Sequence, residues 1–463
     1  MTAATVLRAG DADAAIDRLC RQMREVCASA VDPLEIAAAL EAEAGLTGPI
    51  LRARYGCPDV FTLADEMYRR TARWPAEPAP QPDPWAADPR THVGHAVLYG
   101  LPAASYAVAT PLLDGRAALT VVLVSMVASW TLAQALAYLG YARLSGLDRA
   151  GATRVLRAGL PVGSAALGFA LAAAAVVAPV GPAVLVFAAA QGVYLLAATV
   201  LLVLGAERWV FVALGPGALA SAIYLVAGRP PSVDGLLWVP LVVSAGLACV
   251  LAAVLTRGPK GRTVPSRAER RGALAQAQFG LCAAGLLAFP VAVVGFGAGS
   301  AVSAAAVLTL PLSLSMGAAE WSLYRYRRDV QALLDRCRTV DRFAPGARRV
   351  LATAVLRYLA VAAVLVAATV AVLRVPDGVA VLCLSYLALG GALFVALLLQ
   401  ALGAGARTGP ACGAAVALEA ALVLGPPAGT VDVATAQLIA GGLLFTGLVL
   451  VAGTALGRVD AHI

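Results

Sequence analysis

Of the chain's 463 residues, 60% are Ala, Val, Ile, Leu, Met, Phe, Trp, Tyr or Cys and only 13% are charged, giving a mean hydropathy of +0.81. Soluble domains carry about 25% charged residues, so this composition excludes a soluble protein and makes bilayer thickness the ruler for every segment. The net charge of +8 is no nucleic-acid footprint, because the basic side chains sit beside apolar runs, and no nucleic-acid partner is expected.

Residues 1 to 90 differ from the rest, holding 24 of the 62 charged side chains and no run long enough to span a membrane. The opening MTAATVLRAGDADAAID has no apolar core and does not read as a signal peptide. Four short helices fit this part. Asp13 to Ala30 carries Ile16, Leu19, Cys20, Met23, Val26 and Cys27 at helical spacing, and Asp32-Pro33 reads as N-cap and N1 of a helix ended by Gly45. A third helix runs from Pro49 to Tyr55. Asp59 caps a fourth, with Val60, Leu63, Ala64 and Met67 on one face and Arg69 and Arg70 in its last turn, where cations suit the helix dipole. Two helices joined at a glycine invite a helix-turn-helix reading, but a small packed core is the simpler account. Residues 1–73 are therefore expected to form a soluble helical cytoplasmic domain, and WPAEPAPQPDPWAADPR supplies a proline-rich linker over 74–91.

Twelve apolar runs follow, at about 94–113, 117–141, 159–179, 182–204, 208–227, 235–256, 273–296, 299–323, 350–373, 379–403, 409–426 and 433–456. With the N-terminal domain placed inside, the inner connections and the tail hold 21 basic residues and the outer ones only Arg116, Arg229 and Arg374. This asymmetry predicts a multi-pass inner-membrane protein with both termini cytoplasmic. The predicted architecture is all-α, about twelve transmembrane helices in two six-helix halves, 92–256 and 273–463, joined by a basic cytoplasmic linker at 257–272. Arg143 to Arg157 and Arg325 to Arg349 fall at equivalent positions in the halves. Each reads as a basic amphipathic helix lying on the cytoplasmic face, with anionic lipid headgroups as partners. A 6 + 6 parallel duplication is supported further by ATRVLRAGL at 152–160 and ARRVLATAV at 347–355, and by Pro111 and Pro290 in the first helix of each half.

Nucleotide-binding, serine-hydrolase and zincin motifs are absent, none of the eight cysteines forms a CxxC pair, and only three histidines occur, so no cofactor or metal site is expected. The outer acids Asp114, Asp234, Asp377 and Asp432 read as helix terminators. An ionisable residue inside a span is the sharpest functional pointer, since it costs at least about 2.5 kcal/mol at the bilayer centre without a partner or water. Glu419 is the clear case, in the middle of span 11 among small residues, and is expected to face the cleft between the halves as an ion-coupling or substrate group. Gln134 and Gln191 lie deep enough to line the same polar cavity. Glu320 and Arg357, on spans 8 and 9, form a candidate cytoplasmic-side gate or pair, and His92 and His95 read as interfacial. Prolines 102, 111, 216, 240, 290 and 311 are expected to kink spans 1, 5, 6, 7 and 8.

Twelve spans, a 6 + 6 repeat, basic segments after spans 2 and 8, a basic linker after span 6 and no ATPase motif resemble the multidrug/oligosaccharidyl-lipid/polysaccharide exporter superfamily, especially its polysaccharide branch. The resemblance covers residues 92–463 as architecture and not as a residue motif. The major facilitator plan also has twelve spans, but its loop after span 2 is only faintly echoed by GLDRAGATRVLR. The resemblance implies a non-enzymatic carrier without its own ATPase, an exporter or flippase of a glycan, lipid-linked sugar or amphiphile, with a cytoplasmic or glycan-synthesis protein as partner. A scaffold recruiting partners through its N-terminal domain and a membrane-embedded transferase are the alternatives.

Overall fold

The computed structural model describes residues 9–44, 48–71, 89–108, 115–228, 230, 232, 236–258, 264–297, 301–337, 340–373, 380–425 and 431–458. The chain divides into two compact units, Met1–Pro84 and Trp85–Ile463. Pro111, the linker over 74–88, the acids Asp114, Asp234 and Asp377, and the basic residues Arg229, Lys260, Arg262 and Arg374 lie outside the described residues.

The first unit contains α1 (Ala9–Gln22), α2 (Arg24–Ser29), α3 (Pro33–Ala44), α4 (Gly48–Tyr55) and α5 (Val60–Arg70). The single helix expected from Asp13 to Ala30 is broken at Met23, whose backbone leaves the helical region at φ −100°, ψ 29°. The i to i+4 backbone bonds from the Met23 N–H to Leu19 and from the Cys27 N–H to Met23 still continue through this point, so Ile16, Leu19, Met23 and Cys27 share one face, against a core built around Ile36, Leu40, Leu63 and Met67. Asp59 caps α5, accepting the Thr62 N–H at 2.7 Å, and that bond holds its carboxyl below the usual range. Arg70 does more than meet the dipole of α5. Its guanidinium donates to Asp13 at 2.5 Å, Asp17 at 3.2 Å and Glu66 at 2.8 Å, tying α5 to α1.

The second unit consists of α6 (Pro89–Val108), α7 (Arg116–Ser145), α8 (Arg149–Val177), α9 (Pro182–Val203), α10 (Glu207–Val226), α11 (Val239–Leu255), α12 (Arg267–Gly297), α13 (Ala301–Arg336), α14 (Val340–Leu373), α15 (Ala380–Ala401), α16 (Thr408–Leu424) and α17 (Val433–Ala455). They match the twelve apolar runs in order. Eight of them, α7, α8, α9, α12, α14, α15, α16 and α17, are long and apolar enough to cross a bilayer by length and composition alone. Along α8 and α14, Val162, Phe169, Val176, Leu356, Val364 and Val372 are exposed, a distribution that suits a lipid surrounding better than water. In α9 and α15, by contrast, more than half of the apolar window is buried. The molecule is a multi-pass, all-α membrane protein.

The two halves repeat each other's packing. In the first, α7 packs on α8 and α9, α9 on α8, α10 and α11, α10 on α6 and α11, and α8 on α11; each of these pairs recurs six helices later. Serine hydroxyls add polar contacts inside the halves, from Ser125 to the Ala188 carbonyl at 2.6 Å and from Ser385 to Gln437 Oε1 at 2.9 Å.

Two expectations change here. Arg143 to Arg157 and Arg325 to Arg349 are not separate helices lying on the membrane. α7 turns directly into α8 through Gly146 and Leu147, the latter at φ 58°, and Asp148 caps α8 by accepting the Gly151 N–H at 2.7 Å. α13 likewise runs unbroken to Arg336, because nothing between Trp321 and Arg336 interrupts its backbone bonding. Several of the arginines have structural work: Arg327 donates to the Ala401 carbonyl at 2.7 Å and Arg348 to the Gly453 carbonyl at 3.3 Å, satisfying the C-terminal turns of α15 and α17. The second change concerns Pro240, which opens α11 in its first turn instead of kinking it. Pro102, Pro216, Pro290 and Pro311 lie inside helices as expected, and Pro161 and Pro345 join them.

Candidate functional site

The halves meet chiefly through two helix pairs, α6 with α13 and α7 with α12. Shifting the numbering by six helices exchanges one pair for the other, so the seams are two copies of one arrangement.

Glycines set the approach in both. On α13, a side chain at Gly317 would overlap the His92 carbonyl oxygen and fall 2.7 Å from Ala96 Cβ, so α6 crosses almost backbone to backbone. On α12, a Cβ at Gly280 would lie 2.9 Å from Gln134 Cγ and 3.2 Å from Thr131 Cα. Gln134 is therefore a seam residue between the halves.

At the end of the unit that carries the arginine-rich turns, each seam holds an ionic contact. In the first, His95 lies between two carboxylates: its Nδ1 meets Glu320 of α13, and its Nε2 is 2.7 Å from Glu207 of α10. His92, one turn earlier, places Nδ1 3.6 Å from the same Glu320 oxygen and stands edge-on to Tyr324. Both imidazoles are buried, at 7% and 6% exposure, while Glu207 keeps its side chain 42% exposed. In the second seam Arg143 of α7 donates to Glu269 of α12 at 2.9 Å. Ser266 and Glu269 form a capping box, with Glu269 accepting the Ser266 N–H at 2.6 Å and donating its own N–H to Ser266 Oγ at 3.2 Å. The polarity is reversed between the seams: α13 brings the acid to α6, and α7 brings the base to α12.

An apolar groove of about 600 Å³ runs along the α7–α12 seam, lined by Leu123, Val127, Leu281 and Phe289 with Ala166 of α8 and Val416 of α16. Among the described residues, Thr131 is the only polar side chain in its wall.

Glu320 and Arg357 do not pair. Consecutive positions on a helix point about 100° apart, so Glu320 faces α6 while its neighbour Trp321 takes Arg357, whose guanidinium lies 5.4 Å over the indole and 3.8 Å from Asp329. Glu419 is fully buried on α16, which packs against α12 and α17 within the second half, and neither carboxylate oxygen has a hydrogen-bond partner. Val416, one turn before it, lines the groove, but Glu419 itself does not. Gln191 lies on α9 in the first half with a buried, unpartnered Oε1.

No protein-family model matches the chain and no curated protein matches it. Solved structures do. A MATE protein in complex with Br-NRF aligns with a TM-score of 0.51 at 16% identity, covering 82% of this chain and 98% of that one. A proline-to-alanine MATE mutant gives 0.50 at 15% identity over 80% and 98%. The fold is the MATE fold. A third structure, an outward-facing multidrug resistance MATE family transporter of the MOP superfamily, aligns at 0.47 and 14% identity over 81% and 97%. At these identities the likeness is one of architecture, so what the MATE-like body does must be argued from its own residues.

The histidine cluster and the Arg143–Glu269 contact were not assembled by sequence reasoning. His92 and His95 are three residues apart and so share a helix face, and Ser266-x-x-Glu269 spells a capping box; those local signals were legible. Their partners on α13, α10 and α7 were not.

Proposed function

We propose that the protein is a transporter that works by alternating access, moving an amphiphile such as a lipid-linked sugar or glycan outward across the cell membrane, with the arginine-rich end cytoplasmic. The observation that carries this reading is the pair of pseudo-symmetric seams, each tied at the same end by an ionic contact and each crossed at a glycine. Two rigid halves joined this way can rock, opening one end of the seam as the other closes. The apolar wall of the groove suits an acyl or polyprenyl chain. Glu419, buried without a donor, needs a proton or a cation, which gives the second half a group for ion coupling. Anionic lipid at the arginine-rich end and a cytoplasmic partner of the first unit belong to the same proposal.

The test is a reversible cross-link. A Cβ at Gly100 of α6 falls 3.0 Å from Leu314 Cγ on α13, so Gly100→Cys with Leu314→Cys, on a background with the eight native cysteines replaced, places two thiols across the first seam. In proteoliposomes, movement of a fluorescent short-chain lipid or a lipophilic dye should stop on oxidation and return on reduction. Probe movement no faster than in empty liposomes, or unchanged by a complete cross-link, would overturn the proposal.

A further inference from the structure

We propose that His92, His95 and Glu320 form a binding site for a divalent transition metal of the zinc class, and that the bound ion staples α6 of the first half to α13 of the second.

Three observations bear on this. The ligand atoms of the three side chains lie within 4.8 Å of one another, a spread that small rotamer changes convert to the roughly 3.3 Å separations of donors around a tetrahedral ion. His92 Nδ1 is buried, has no hydrogen-bond partner and lies 3.6 Å from the Glu320 oxygen, so an unpartnered ring nitrogen borders the cluster. His95 turns Nδ1 into the cluster while its other nitrogen rests 2.7 Å from Glu207. A carboxylate behind a ligating imidazole fixes its tautomer and orientation, which is the usual outer support of a metal-bound histidine. The two imidazoles stand one turn apart on one helix and the carboxylate comes from a facing helix, so three protein ligands leave a fourth position for water. The partial exposure of Glu207 and Glu320, 42% and 28% of their side chains, provides an entry path.

The backbone supports the same geometry. Gly317 is one turn before Glu320 and lies against the His92 carbonyl, so the close helix crossing is what brings the three ligands together. Imidazole and carboxylate ligands suit zinc, cobalt and nickel better than calcium or magnesium, which prefer all-oxygen shells.

Binding is tested on the full chain in detergent with Zn2+ alone, by equilibrium dialysis and metal quantification, and with Co2+, whose spectrum reports its ligands. One ion per chain is expected, with visible ligand-field bands and no thiolate charge-transfer band. His92→Ala/His95→Ala should abolish it, Glu320→Gln should weaken it by at least tenfold, and Glu207→Gln should weaken it by about tenfold as an orienting group. Each variant is checked for an unchanged elution profile and helical circular dichroism; should the double variant misfold, the Glu207→Gln effect decides, since that side chain sits outside the ligand shell. No stoichiometric binding, binding that survives loss of both histidines in a folded variant, or a thiolate band would overturn the site. Zn2+ should also raise the thermal midpoint of the parent and not of the double variant. That a stapled seam arrests movement of the lipid probe rests on the proposed function: binding without arrest would sink the staple, while loss of binding leaves the transport reading to the cross-link.

Discussion

The two seams have one architecture and two chemistries. Between α6 and α13 the limiting contact is backbone, with Gly317 against the His92 carbonyl, and the ionic group is a buried imidazole pair sharing one carboxylate. Between α7 and α12 the tightest approach is a side chain, the Tyr138 ring against Gly272, with Gln134 and the Thr131 backbone against Gly280 further along, and the ionic group is an arginine on a carboxylate that also belongs to a capping box. Packing geometry thus survives where side-chain identity does not, since helix crossings depend on where small residues fall and not on which polar group closes the end.

The largest effect expected from breaking this comparison is at Gly317. Gly317→Ala must separate two backbones, and about 2 kcal/mol of destabilisation is expected together with loss of lipid-probe movement. Gly280→Ala meets Gln134, which can turn away, and the Thr131 backbone at 3.2 Å, which has to give by only a few tenths of an ångström, and about 1 kcal/mol is expected. Thermal melts of the two variants in detergent compare them directly; equal losses would erase the distinction between the seams.

Next in size is the α7–α12 contact. Arg143→Ala leaves a largely buried Glu269 without its cation, for an expected loss of about 1 to 2 kcal/mol, smaller if water reaches the carboxylate. The exchange Arg143→Glu with Glu269→Arg should recover part of it, and a double-mutant cycle showing no coupling would reduce the pair to a surface contact.

Glu419→Gln tests whether chemistry away from both seams drives them. It should preserve insertion and the elution profile and lower probe movement by at least severalfold under an imposed ion gradient. Movement at the parental rate with either a proton or a sodium gradient would make the carboxyl structural.

The smallest effect belongs outside the membrane body. Because the Thr62 N–H lowers the Asp59 pKa, its capping contribution is present above the ordinary carboxylate value of about 4 and is lost as pH falls through the lowered folded value. Asp59→Asn should therefore shift the melting of the first unit slightly at pH 7 while leaving both seams unchanged at that pH, and the shift should vanish once strong acid protonates the Asp59 carboxyl. Hydrogen exchange along α5 would show it.

Much of the membrane body was readable because a span is a continuous apolar run and its register with its neighbours does not matter for recognising it. The runs at 182–204 and 433–456 match α9 and α17 to within one residue at each end. Basic ends were harder: the sequence around Arg143 to Arg157 and Arg325 to Arg336 is amphipathic whether it lies on a membrane or extends a span, and only the cap at Asp148 and the unbroken α13 distinguish the two. At the candidate site the local half of the information was present, in two histidines one turn apart and in Gly317 one turn before Glu320. What was missing is rotational register between distant helices, which sent Glu320 toward α6 and Trp321, not Glu320, toward Arg357.

The length of α13 has a mechanical meaning. Its 36 residues measure about 54 Å, well beyond the roughly 30 Å hydrocarbon layer, and the excess carries the arginines up to Arg336. A rod of that length pivoting at its far end moves its tip by about 1 Å for each degree of tilt. Rocking too slight to register at the pivot is therefore magnified near Cys337, a native thiol just past the tip, where a distance-sensitive label would sit at the end of a built-in pointer.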